Sequence, residues 1–213
     1  AEFNLGQAPE VSNPLDLERQ VGLAAGAAAA LVASGVVPVA VGTQSLGSIA
    51  ESASYCGVVG FKPSSRLISQ SGVFRASKTL EQVGIFSKTV EDAALLAEII
   101  LGSDELDPDT KGVLPRPLLA ICQEDVPLKP SFVFLKTPDW VDMDSEAKEA
   151  IEALLEELAD QITIIDLPET TLQSKEWHEL IVQAEFSGAL ETQERQISKK
   201  PPKRIADMIK AGS

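Results

Sequence analysis

Histidine and tyrosine each occur once in this chain of 213 residues, cysteine occurs twice, and aromatic residues make up only 5%. Each scarcity excludes a class of chemistry. The sole histidine, His178, has no second histidine at metal-ligand spacing, so it reads as a residue of a polar helix rather than a ligand. Cys56 and Cys122 lie far apart in apolar segments and match no zinc or redox spacing, which predicts two free thiols, no metal and a cytoplasmic setting. Positive charge is scarce as well. Eighteen Lys and Arg stand against 32 Asp and Glu, a net charge of −14, so nucleic acid and anionic membrane surfaces are repelled. The one basic cluster, Lys199, Lys200, Lys203 and Arg204, contains no aromatic residue and reads as a solvated helix entry. Long apolar runs are missing too: LAAGAAAALVASGVVPVAV is rich in alanine and broken by Gly35 and Pro38, which predicts neither a signal peptide nor a membrane span.

What is present is a globular composition, 44% hydrophobic, in a length that suits one domain over residues 1–213. Residues 1–20 carry Pro9 and the turn signal Asn13-Pro14 and read as loop. The alanine run predicts a helix from Leu23 to Ser34, packed closely on several sides because its side chains are small. Val36 to Val41 predicts a strand around Pro38, and CGVVGF, GVF and QVGIF predict further short strands between Gly, Pro and Ser clusters. Thr89 with Asp92 resembles a capping box, opening a helix that stops at Gly102.

A strand SFVFLKT, a helix SEAKEAIEALLEELADQ and a strand ITIIDL then form a βαβ pattern, which requires parallel strands. In that helix Ala147, Ala150, Ile151, Leu154, Leu155 and Leu158 share a face, with Glu152, Glu156 and Glu157 left in water. Residues 172–195 predict another amphipathic helix, and IADMIKAG a short last one.

Chemistry centres on GTQSLGSIAES, directly after VVPVAV. Read from composition, Ser48 in this Gly-Ser segment is a turn residue or a helix cap. A glycine-rich loop after a strand also lets backbone N–H groups converge on an anion, without identifying a nucleophile. Other constellations fail. Ser145 and Lys148 match Ser-x-x-Lys only in letters and read as a helix cap. No Gly-x-Ser-x-Gly elbow surrounds Ser48, and Asp107-Pro108-Asp109 reads as a turn.

The longer pattern VPVAVGTQSLGSIAESASYCGVVGFKPS, followed by GVF, TLEQVG and KTVEDAALL, resembles the amidase signature family. The resemblance is specific over residues 13–102 and continues more weakly over 131–213. It implies a mixed β-sheet flanked by helices, an α/β fold trimmed here at both ends, and no cofactor. It also implies hydrolysis of carbon–nitrogen amide bonds by a Ser, cis-Ser and Lys triad. Carried over by position, Ser48 is the nucleophile, and the backbone N–H groups of Ser45, Leu46, Gly47 and Ser48 are the oxyanion donors. The cis-Ser position holds Ala24 and its neighbouring serine position Ala25. Leu23 and Leu46 stand where the family has glycines. The family's base lysine lies upstream of the Asn-Pro turn, in a segment this sequence does not contain, and Lys62 matches a structural Lys-Pro. Two readings follow. One is an amide hydrolase by descent that has lost its proton relay. The other is an inactive, amidase-like binding or scaffold protein, a pseudoenzyme whose loop takes a small amide or peptide-like ligand. Either one, trimmed of sheet elements, is expected to self-associate or to need a missing segment.

Overall fold

The computed structural model of the protein describes residues 11–22, 24–125, 128–137, 139–167 and 174–197. Two compact units emerge. The first comprises Ala1–Gln123 with His178–Ser213, and the second Glu124–Trp177.

In the first unit the alanine run forms α1 (Gly26–Ala33). Ala24 and Ala25 make a turn ahead of it, so the helix starts later than predicted, and Leu23 lies outside the described residues. Ala29 and Val32 are fully buried while Leu31 is 45% exposed, so this helix is packed on one side and not all round. The predicted strand is also displaced, to β1 (Val39–Gln44). The reason is local. The N–H groups of Val36 and Val37 both turn back to Leu31 O, at 3.1 and 3.4 Å, past Gly35 at φ 75°, and Pro38 has no N–H to offer a ladder. The chain then forms α2 (Ser48–Cys56), β2 (Val59–Phe61), β3 (Gln82–Ser87) and α3 (Val90–Ile100). GVF is not a strand. Val73 N–H closes a turn onto Gln70 O at 3.1 Å, with Gly72 at φ 77°.

The sheet runs β1-β3-β2, with both outer strands antiparallel to β3. Alternation along β3 divides the core in two. Phe86 joins Ala29, Val32, Ile49 and Cys56 on the face covered by α1 and α2. Val83 and Ile85 join Ile68, Ala93, Ala97 and Leu101 on the face covered by α3. Gly84 makes the first packing possible, because a Cβ there would lie 2.7 Å from Phe61 O and overlap Ile49 Cδ1. Thr89 caps α3 as expected, its side chain accepting from Asp92 N–H at 3.1 Å. Asp107 caps the 3₁₀ turn Pro108–Thr110, and α4 (Leu118–Gln123) follows. Both cysteines are free. Cys56 is buried, whereas Cys122 on α4 is exposed, contrary to its apolar sequence setting.

The second unit holds β4 (Ser131–Leu135), α5 (Asp139–Asp142), α6 (Ser145–Leu158) and β5 (Thr163–Leu167), with β4 and β5 parallel as the pattern requires. α6 buries no residue fully. Ile151, Leu155 and Leu158 are half-buried, but Ala147, Ala150 and Leu154 are exposed, so the expected apolar face is only partly covered. Its cap is Asp144, accepting from Glu146 N–H at 2.9 Å, and not Ser145. The last element is α7 (Ser174–Ile197), on which His178 is exposed and Val182 buried. The basic cluster and IADMIKAG lie outside the described residues. No helix among the described residues is long and apolar enough to cross a membrane.

Candidate active site

β1 delivers the chain through the Ser45–Gly47 bend into α2, so Ser48 is the first residue of a helix directly after a strand. Gly47, at φ 115°, makes that turn, a backbone conformation that disfavours any side chain. Glycine has no side chain with which to cap α2. Gln44, the last residue of β1, caps it from a distance: its Oε1 accepts from Ile49 N–H at 2.9 Å and Ala50 N–H at 3.2 Å. The backbone N–H groups of Leu46, Gly47 and Ser48 donate to nothing among the described residues. They lie at the positive end of α2. Ser48 is buried, at 2% exposure, and its hydroxyl likewise makes no hydrogen bond among those residues.

Ser45 is tied elsewhere. Its hydroxyl donates to the carboxylate of Glu81, which is 1% exposed. Glu81 is in turn fixed through its backbone, its N–H donating to Ser77 O at 3.0 Å and its carbonyl accepting from Gln70 Nε2 at 2.7 Å. Sequence reasoning passed over Glu81. The only available signal was a charged residue at the head of an apolar strand, in TLEQVG.

Ala24 is exposed in the turn before α1, whereas Ala25 joins the buried core. The segment ahead of them runs against α2 one helical turn beyond Ser48. A Cβ on Gly22 would lie 2.8 Å from Ser52 Oγ and 2.9 Å from Ser52 Cα. Ser52 Oγ is buried without a partner among the described residues. Lys62 is exposed, its Nζ donating to Pro63 O at 2.8 Å. Burial pushes the Cys56 thiol above its usual pKa, so this thiol stays protonated. Two open clefts among the described residues, of about 620 and 550 Å3, lie away from Ser48. No cluster of metal-binding side chains occurs among those residues.

The sequence matches the Amidase family over residues 6–212. The chain belongs to the amidase family. A glutamyl-tRNA(Gln) amidotransferase subunit from Carboxydothermus hydrogenoformans is 35% identical over 199 residues, covering 89% of this chain and 40% of that protein. The corresponding Thermotoga maritima protein is 45% identical over 115 residues, 51% of this chain and 24% of the relative. Among solved structures, a glutamyl-tRNA(Gln) amidotransferase subunit from Thermotoga maritima superimposes with a TM-score of 0.73 at 30% identity, over 95% of this chain and 44% of that one. PAM12A superimposes with a TM-score of 0.79 at 27% identity, over 94% and 41%. This amidase-family chain thus has the mixed α/β fold of amidase-signature proteins and spans less than half the length of these relatives.

Proposed function

We propose that this chain carries the nucleophile half of an amide-hydrolase site, with Ser48 as the attacking hydroxyl and the N–H groups of Ser45, Leu46, Gly47 and Ser48 as its oxyanion donors. One observation carries the reading: Ser48 is buried at the start of α2, and Gln44 occupies the next two helix N–H groups while those of Leu46, Gly47 and Ser48 stay open among the described residues. Open donors at a helix start favour the developing negative charge of a tetrahedral intermediate. The substrate class is a small amide or peptide-like carbonyl compound, and the bond cleaved is carbon–nitrogen. Attack also requires a base for the Ser48 proton and a group that protonates the leaving nitrogen. Ala24 has no hydroxyl for that transfer. These residues by themselves therefore hold a ligand without turning it over.

A second reading, a binding or scaffold protein, is favoured by the same Ala24 and by Leu46 in the donor loop. In either reading β1 is an edge strand among the described residues, with Val41 51% exposed, which suits a further sheet segment or self-association. The test is restoration. Ala24→Ser and Leu46→Gly, combined with a fused lysine-bearing segment from an active amidase, should create amide turnover that Ser48→Ala abolishes. Turnover that survives Ser48→Ala, or none at all in the correctly folded restored protein, would overturn the nucleophile assignment and leave the scaffold reading.

A further inference from the structure

The cleft of about 550 Å3 lies between the 70–78 loop and one face of α7, within the first unit and apart from Ser48. Its volume is that of a small-molecule site. Two carboxylates line it, and both are already committed to internal donors. Glu185 accepts from the Ser77 hydroxyl, from the N–H and hydroxyl of Thr79 and from the backbone N–H of Lys78. Asp107 accepts from Gln70 N–H at 2.8 Å and Asp109 N–H at 3.0 Å.

The cationic side chains that line the cleft are less fully committed. The Lys78 ammonium has no ion pair or hydrogen bond among the described residues, and Arg75 has only the loose Asp109 contact at 3.7 Å. Gly72 N–H, at the tip of its turn, also donates to nothing there. What the cleft leaves without an internal hydrogen bond is therefore donors, the Lys78 ammonium and the Gly72 N–H, beside carboxylates whose acceptors are already taken. Beside them stand apolar surfaces, Phe74 at 37% and Leu106 at 73% exposure. The α7 side is built of small residues: Ala184, Gly188 and Ala189 face the cleft, and a Cβ on Gly188 would meet nothing within 4 Å.

We infer that this cleft binds a small monocarboxylate with an apolar body, its carboxylate on Lys78 Nζ, Arg75 and Gly72 N–H and its apolar part on Phe74 and over Gly188. Charge-assisted bonds orient the acid, and the open floor above Gly188 admits the apolar group. The site does not depend on Ser48.

The probe is N-acetylphenylalanine, titrated into the full chain and followed by amide ¹H–¹⁵N shifts. The expected result is saturable shifts at Gly72, Lys78 and Gly188 and none at Ser48. Lys78→Ala should weaken binding about tenfold, the worth of one charge-assisted bond, while Lys111→Ala should leave it unchanged. Gly188→Leu fills the floor without straining an exposed helix and should abolish binding with no loss of Tm. The neutral N-acetylphenylalanine amide should bind about tenfold more weakly than the acid, for the same reason. Absence of saturable shifts, equal binding of the neutral amide, or unchanged binding in Lys78→Ala and Gly188→Leu would each overturn the inference. Inorganic phosphate binding as tightly as the acid would remove the apolar half of it.

Discussion

On β3 all six residues from Gln82 to Ser87 are buried, whereas on β4 Ser131, Phe132 and Val133 are exposed. Both stretches read alike as apolar, strand-forming runs. The difference is the number of covering layers. β3 has a strand on each edge and helices on both faces, while β4 pairs only with β5 and the second unit closes no fully buried core of its own among the described residues. An apolar strand in sequence thus reports β propensity, but the layers around it set how much it contributes to stability.

Replacing one large apolar residue in each unit would break this comparison most visibly. Phe86→Ala removes a fully buried ring between β3 and both α1 and α2 and should cost about 3–5 kcal/mol. Leu154→Ala, at a position 51% exposed, should stay within about 0.5 kcal/mol. Both tryptophans, Trp140 and Trp177, fall in the second unit, so their fluorescence follows that unit, while hydrogen exchange at β3 follows the first. Equal losses from the two substitutions would mean that the second unit buries Leu154 in solution.

The buried polar pair is the next largest difference, because the second unit has nothing comparable among the described residues. Ser45→Ala leaves the Glu81 carboxylate buried without its hydroxyl donor and should destabilise the first unit by about 1–3 kcal/mol, read by denaturant unfolding. Ser145→Ala, at an exposed helix start where Asp144 makes the cap, should change little.

Helix caps sharpen the comparison from the other side, since they act locally. Thr89→Ala and Asp144→Ala each remove a side-chain acceptor from a helix N-terminus and should each cost about 1 kcal/mol, in first and second unit alike. Markedly unequal losses would show that one of the two helices is stabilised mainly by something other than its cap.

These outcomes bear on what could be read from sequence. The β3 strand, the Thr89 cap and the parallel β4–β5 pair were legible because each depends on neighbouring residues or on a strict period. The start of β1 was not, because the N–H groups of Val36 and Val37 go to Leu31 instead of to a ladder. The partial exposure of α6 was not, because spacing shows which residues share a face and not what covers that face. At the candidate site, the family motif singles out Ser48, and the fold puts that residue at the start of α2. Its supports were not: Gln44 reaches around the bend to cap α2, and Glu81 arrives 36 residues later in the chain to hold Ser45.

A smaller effect concerns the attachment of α7 to the first unit. Burial raises the pKa of Glu185, but the hydrogen bonds from Ser77 and Thr79 outweigh it, and the carboxyl is held below its usual value. A depressed folded-state pKa contributes stability that is present above the unfolded pKa of about 4.3 and lost as pH falls through the lower folded value. Hydrogen-exchange protection around Val182, taken relative to the intrinsic exchange rate at each pH, should therefore fall below about pH 4.3, and Glu185→Gln should remove that fall. A pH response unchanged in Glu185→Gln would assign it to other carboxylates.

The smallest expected effect is at Ser48 itself. The residue is buried, but its hydroxyl makes no hydrogen bond among the described residues, so Ser48→Ala breaks no internal partnership there and should shift stability by less than about 0.5 kcal/mol. Turnover of a simple anilide should be undetectable before and after the substitution. An oxyanion hole and binding alone can leave residual catalysis of about 10³–10⁴-fold over water once a triad member is gone, but amide cleavage also requires the proton to reach the leaving nitrogen. In the proposed reading, with Ser48 as nucleophile and position 24 as the relay, alanine there leaves a tetrahedral adduct without a route for that proton, and the adduct should collapse by expelling the serine oxygen instead of the amine. Ser48-dependent turnover by the unmodified chain would sink this argument and require another proton carrier. The buried hydroxyl of Ser52, one helical turn away and without a partner among the described residues, would be the first group to substitute.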